Sequence, residues 1–230
     1  MKERDAPPDF CMQVLRLLHE AGILRELVVV GSWCSYFYRA LVPGAENIGA
    51  IRTGDLDVLI PKPGRVKTGR GIPEILGDLG FVVEHSLGGY TRLVHPLMTI
   101  DFIVPERGRG RTAPVKVAGL GVNASALRFM DFLVEGALVF ETEGIAIKMP
   151  DPLRYGLHKL IISERRANKD KAEKDRRLAV DVLRALVDYG KGKSIREIFD
   201  SLPKGWKAGI RKAIKKAEAD DLEGLLTGEK

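Results

Sequence analysis

The chain has 230 residues, 45% apolar and 30% charged, long enough for one or two domains with a buried core and short for three. Lys and Arg outnumber Asp and Glu by 37 to 31, and the net charge of +6 favours phosphate-bearing partners. Only two cysteines are present, Cys11 and Cys34, which excludes a disulfide framework and a cysteine-ligated zinc site.

The charged start MKERDAPPDF lacks the apolar middle of a signal peptide, and no apolar run approaches the roughly 20 residues of a membrane helix. A soluble, cytoplasmic protein with no membrane partner is expected. Apolar residues at helical spacing predict a first helix over Asp9–Ala21. Glu26–Val30 then reads as a strand that runs into Gly31-Ser32 and a helix over Trp33–Leu41. Asp55–Ile60 alternates charged with apolar residues before becoming wholly apolar, the pattern of a strand with one end at a site.

Beyond a basic loop at 61–71, a short helix is expected over Ile72–Leu79 and a strand over Phe81–His85. Tyr90–His95 and Thr99–Val104 form two strands in a hairpin-like spacing. A second basic loop, 105–116, leads to a helical pattern over Ala124–Val134 and a hairpin over Ala137–Lys148. Pro150 and Pro152 mark a boundary, past which the pattern is helical: Tyr155–Ile162, Lys171–Tyr189, Ser194–Leu202 and Trp206–Leu226.

Three features carry chemistry. Gly31-Ser32 closes a buried strand and opens a helix, where a backbone can approach a phosphate closely; a glycine so placed is more often just a turn. Asp55 and Asp57 stand two residues apart on a strand and so share a face, an arrangement that a divalent cation relieves and that solvent can also satisfy. Asp101 lies inside an apolar strand and must be paired, protonated or metal-bound. If its strand neighbours that of Asp57, three carboxylates meet, and such a set can hold two Mg²⁺ for an in-line displacement at phosphorus.

Together VVVGSW, TGDLDVLI and TIDFIV resemble the signature of the DNA polymerase β-like nucleotidyltransferase superfamily. The resemblance implies an α+β fold: a nucleotidyltransferase-like mixed sheet with flanking helices over residues 1–150, followed by a helical C-terminal domain over 151–230. It implies Gly31 and Ser32 at the triphosphate of a bound NTP, Asp55 and Asp57 as ligands of Mg²⁺ or Mn²⁺, and Asp101 as third ligand and base. The tail is similar to a bacterial branch that includes the AbiEii-type toxin nucleotidyltransferases. That likeness rests on Arg52-Thr53 before the aspartate pair, Lys159-Leu160 with Arg165, and Lys174-Asp175 with Asp181. It implies a phosphate contact for Lys159, with Asp175 orienting it or joining the site.

The activity so implied is transfer of a nucleoside monophosphate from an NTP to an acceptor, with release of pyrophosphate. RNA, tRNA above all, leads the expected acceptors, with a protein or small molecule as rivals, and an antitoxin protein would be the partner of a toxin. The loops at 61–71 (Lys62, Arg65, Lys67, Arg70) and 107–116 (Arg107, Arg109, Arg111, Lys116) contain no acid and can hold a polyanion or simply be solvated. A non-catalytic nucleotide- or RNA-binding module on the same fold is the competing reading.

Overall fold

The computed structural model describes residues 8–48, 54–108, 110 and 113–228; Arg52, Thr53, Arg109 and Arg111 lie outside these. Strands and helices are mixed up to residue 150. They are α1 (Pro8–Glu20), β1 (Val28–Val30), α2 (Trp33–Leu41), β2 (Asp55–Leu59), α3 (Ile72–Gly77), β3 (Val82–His85) and β4 (Thr91–Val94). Next come β5 (Thr99–Pro105), β6 (Val115–Val117), β7 (Val122–Leu127), α4 (Met130–Val134), β8 (Leu138–Thr142) and β9 (Ile145–Met149). Helices follow: α5 (Pro152–Ser163), α6 (Lys169–Asp188), α7 (Gly192–Ser201), α8 (Lys204–Lys216) and α9 (Asp220–Thr227). The fold is thus α+β, a mixed sheet with flanking helices and a helical C-terminal region, as expected. Contacts divide the chain into two units, Met1–Cys34 with Ile51–Pro150 and Ser35–Ala50 with Asp151–Lys230, so the division falls inside α2.

In the first unit the strand order β1-β2-β5-β4-β3 carries one parallel step, β2 with β5, among antiparallel ones. Strand β7 runs parallel to the far end of β5 and antiparallel to β6. Because cross-strand partners point the same way, the register sorts side chains onto two faces. One face holds Val29, Leu56, Val58, Leu93, Ile100 and Phe102, all buried. On the other, Val28, Val30, Leu59 and Ile103 pack under Met130 and Leu133 of α4. The apolar half of that second face is therefore covered.

Two expectations from sequence are corrected. Residues 124–134 are not one helix: Val122 and Ala124 are buried in alternation with half-buried neighbours, and pairing with β5 and β6 overrides the helical preference of the alanines. Phe129, at φ +68°, then turns the chain into the short α4. The helix expected over 206–226 is likewise two, α8 and α9. Glu218 adopts φ +52° and the Ala219 N–H reaches back to the Ile214 carbonyl, a left-handed helix end usually made by glycine, so composition does not announce it. Strand β6, inside the second basic loop, was not expected at all.

In the second unit Asp151 caps α5 by accepting from the Leu153 and Arg154 amides at 2.9 and 3.2 Å, with Pro152 in the first turn, so the proline pair starts a helix. Asn168 caps α6 through the Lys171 amide. The two helices approach closely at Gly156, where an added Cβ would lie 2.8 Å from Cγ and Cδ2 of Leu183. Two effects of Gly156→Ala oppose each other: better helix propensity, about 1 kcal/mol, and overpacking, about 1–3 kcal/mol. Overpacking should win, because Cγ cannot swing away as a chain end can. The expected result is a net loss of about 1 kcal/mol, a Tm fall of roughly 2–8 °C by calorimetry; an unchanged or raised Tm would show that Leu183 gives way.

Candidate active site

Register builds the site. Val30 pairs with Asp57, Asp57 with Asp101, Asp101 with Arg92 and Arg92 with Glu84, so one row crosses five strands on one face. Asp55, two residues before Asp57, joins that face and stands beside Thr99. This is the half of the face that α4 leaves uncovered. Asp57 and Asp101 are half-buried and Asp55 is exposed.

At the end of β1 the chain turns through Gly31 at φ +75°, and an added Cβ would stand 2.9 Å from the Asp57 Cγ and 3.0 Å from its Cβ. Glycine is required here twice over, by the backbone angle and by the carboxylate pressed against its Cα. Ser32 follows, half-buried, and α2 begins at Trp33. The Cys34 thiol, buried, donates to the Val29 carbonyl at 3.3 Å and ties the first turn of α2 to β1. Gly31, Asp57 and Asp101 thus meet at one place, with Asp55 and Ser32 adjoining them in the chain.

Arg92 was not singled out from sequence. Its Nε and one terminal nitrogen donate to the two oxygens of Asp101 at 2.9 and 3.0 Å, a fork-on-carboxylate pair. The signal was available, since counting back from the turn that joins β4 and β5 sets residue 92 opposite residue 101. Among the described residues, no three His, Cys, Asp or Glu side chains form a ready metal-binding group. Of the basic loops, Arg70 bridges Glu74 and Arg107 faces Asp131 at 3.7 Å.

Lys159 and Asp175 belong to the second unit and pair with each other at 2.7 Å, both nearly buried. Arg166 adds a second cation to Asp175 at 2.9 Å, and the Lys159 ammonium lies 5.5 Å from the Tyr155 ring centroid. Burial alone would push the Asp175 carboxyl up, but Lys159 and Arg166 together hold it below its ordinary range.

A family model described as nucleotidyltransferase matches residues 10–202. The chain belongs to the nucleotidyltransferase family. Among solved structures it is similar to an antigenic nucleotidyltransferase-like protein from Paracoccidioides brasiliensis, at 13% identity and TM-score 0.51 over 97% of this chain and 94% of that one. This likeness shows a shared fold. A second similar structure is the antibiotic-resistance factor ANT(2'')-Ia, at 11% identity and TM-score 0.37 over 96% of this chain and 92% of that one. No curated protein matches the sequence significantly. No helix among the described residues is long and apolar enough to cross a membrane.

Two outcomes follow for this nucleotidyltransferase-family chain. Gly31→Ala should destabilise the N-terminal unit by about 1–2 kcal/mol through the left-handed backbone alone. The double variant Gly31→Ala, Asp57→Ala should lose less than the two single losses combined when measured by denaturation, because the carboxylate that meets the new Cβ is gone. The second concerns His158, whose imidazole is pushed down to about 3 by burial, with the Lys159 charge adding to the effect. The unfolded imidazole takes up a proton below its ordinary 6.5 while the folded one does not, so stability falls with pH from 6.5 toward 3, at up to about 1.4 kcal/mol per pH unit. His158→Leu should flatten the pH dependence of Tm between pH 6.5 and 4.5, above the range where Asp175 protonation adds to acid loss; an unchanged slope would place the acid sensitivity elsewhere.

Proposed function

We propose that the chain transfers a nucleoside monophosphate from an NTP to an acceptor hydroxyl on the acidic face of its N-terminal unit. The observation that carries this reading is the meeting of Gly31, Asp57 and Asp101, a close-approach glycine against paired carboxylates. The donor set suits a hard divalent cation, being carboxylate oxygens with neither thiol nor imidazole. Asp55 and Asp57 would hold Mg²⁺ or Mn²⁺, with Asp101 as third ligand. A bound divalent ion supplies neutralisation of triphosphate charge. The Gly31-Ser32 turn, without a Cβ at Gly31, brings backbone N–H groups and the start of α2 close to the phosphates.

The acceptor oxygen bonds to the α-phosphorus, the bond from that phosphorus to the bridging oxygen breaks, and pyrophosphate leaves. Asp101 takes the acceptor's proton. The resemblance also assigns Lys159 and Asp175 to nucleotide binding; with Arg166 they form an ionic cluster of net charge +1, the sign a phosphate needs. RNA, tRNA first, is the proposed acceptor, and an antitoxin protein the partner if the AbiEii-type likeness extends to biology. The rival, a non-catalytic binding module, draws on Arg92 occupying both oxygens of Asp101.

The test incubates protein with each α-labelled NTP, Mg²⁺ or Mn²⁺, and total bacterial RNA and protein. Wild type should label one class of acceptor, and Asp57→Asn should abolish labelling while Tm changes little, since a half-exposed carboxylate contributes within about 0.5 kcal/mol to folding. Labelling that survives Asp57→Asn undiminished would sink the assignment.

A further inference from the structure

We propose that the cleft between the end of α5 and the first turns of α8 is a slot for one nucleotide of a single-stranded RNA acceptor, with the base against Trp206 and the phosphate on Arg165 and Lys212. The inference rests on the RNA-acceptor reading given above and names where that strand is held. Every residue it uses belongs to the second unit.

Three observations carry it. The first is a cavity of about 300 Å³ whose lining includes Glu164, Arg165, Gly205, Trp206, Gly209 and Lys212. An indole, two side-chain-free positions and two cations are the groups that a planar base and its phosphate use. The second is charge. The Glu164 carboxylate meets Lys216 at 2.8 Å, Lys212 at 3.2 Å and Arg176 at 3.8 Å, so one negative charge faces three positive ones. Its side chain is only 8% exposed, whereas those of Lys212 and Lys216 are 67% and 47% exposed. The carboxylate is shielded and the ammonium groups are not, so solvent meets the positive excess. Helix α8 adds to it, with six Lys and Arg and no acid over Lys204–Lys216.

The third observation is the pair of glycines. Gly205 and Gly209 stand one turn apart in α8, and a Cβ added to either would meet nothing within 4 Å among the described residues. Neither has the left-handed backbone that favours glycine. Glycine weakens a helix relative to alanine, so α8 carries a cost that its own packing does not require. A ligand lying close against the helix backbone accounts for it. Gly205, Gly209, Lys212 and Lys216 follow one another at steps of four, three and four residues, so slot and cations form one line along the helix. A line of this kind suits successive nucleotides of a strand better than a lone nucleotide.

Binding is read without NTP or metal, so that transfer plays no part. A fluorescein-labelled single-stranded RNA is titrated with the full chain by anisotropy, tryptophan emission is followed with unlabelled RNA, and thermal melts verify folding of each variant. The double variant Gly205→Ala, Gly209→Ala should melt no lower than wild type, since both methyl groups have space, yet bind RNA more weakly because they fill the slot. Trp206→Leu should bind about tenfold more weakly, the loss of one base stack. Trp206→Phe should keep most of the affinity and lose the RNA-induced change in emission, because the other tryptophan, Trp33, is buried. Lys212→Gln should lower the salt slope of log K by about 0.7, one phosphate contact. Wild-type affinity in both the glycine double variant and Trp206→Leu, or equal binding of an abasic strand, overturns the slot. Competition by a free nucleoside monophosphate at the strength of RNA overturns the assignment to a strand. In each of these cases Asp57-dependent labelling of RNA leaves the transfer reading standing. No RNA binding by wild type overturns both the slot and RNA as acceptor, and Asp57-dependent labelling of another acceptor then still upholds transfer.

Discussion

The in-register parallel pairing of β2 with β5 sets Asp57 directly beside Asp101, and the surroundings answer that constraint. Like charges facing each other across a strand pair are destabilising, so a sheet keeps them only where something relieves the repulsion. Three devices are visible. Helix α4 covers the apolar half of the same face, and Asp57 and Asp101 stay only half-buried. Arg92 lends a positive charge from the next strand. Gly31 gives the Asp57 side chain room at the turn. Sheet core and site are thus one construction: the alternation that buries Val28, Val30, Leu59 and Ile103 under α4 puts the aspartates on that same face, farther along the strands.

The second unit handles charge in the opposite way. It shields the ion pair of Lys159 and Asp175 from solvent and compensates it with Arg166, an arrangement that defines packing more than it adds stability. Residues 151–230 hold 20 Lys and Arg against 14 Asp and Glu, so the whole positive excess of the chain resides there. Much of it is engaged internally. Lys212 and Lys216 of α8 bind Glu164, and Lys215 binds Glu223. A basic composition therefore measures available cations poorly, and the +6 total is a weaker argument for a polyanionic acceptor than the sequence alone suggests.

Legibility followed how local the cause was. Strands with β-branched runs, Val28–Val30 and Thr99–Val104, and helices with clear periodicity, α1 and α6, are visible in sequence because the pattern itself records burial. So is the acid cluster, because Asp55 and Asp57 share a face whatever the fold does. Strand β7 was hidden because Asn-Ala-Ser-Ala carries no strand propensity and only pairing with β5 makes it one. The break between α8 and α9 depends on a glutamate in a glycine conformation. Arg92 went unread for a different reason. Its meaning lies in register, two strands away from Asp57, and a reading that takes motifs one at a time does not look across a hairpin.

The charge of the acid face bears on which function suits it. Glu84, Arg92, Asp101, Asp57 and Asp55 together carry four negative charges and one positive. A surface evolved only to dock RNA would have no use for that excess, since phosphate approaching within a Debye length of about 8 Å would be repelled by it. A site that first recruits divalent cations inverts the sign: the ion makes the face attractive to triphosphate, and the carboxylates fix where the attraction acts. Under the proposed reaction the carboxylates would recruit the cation, and Gly31 beside them would clear space for the phosphates it attracts.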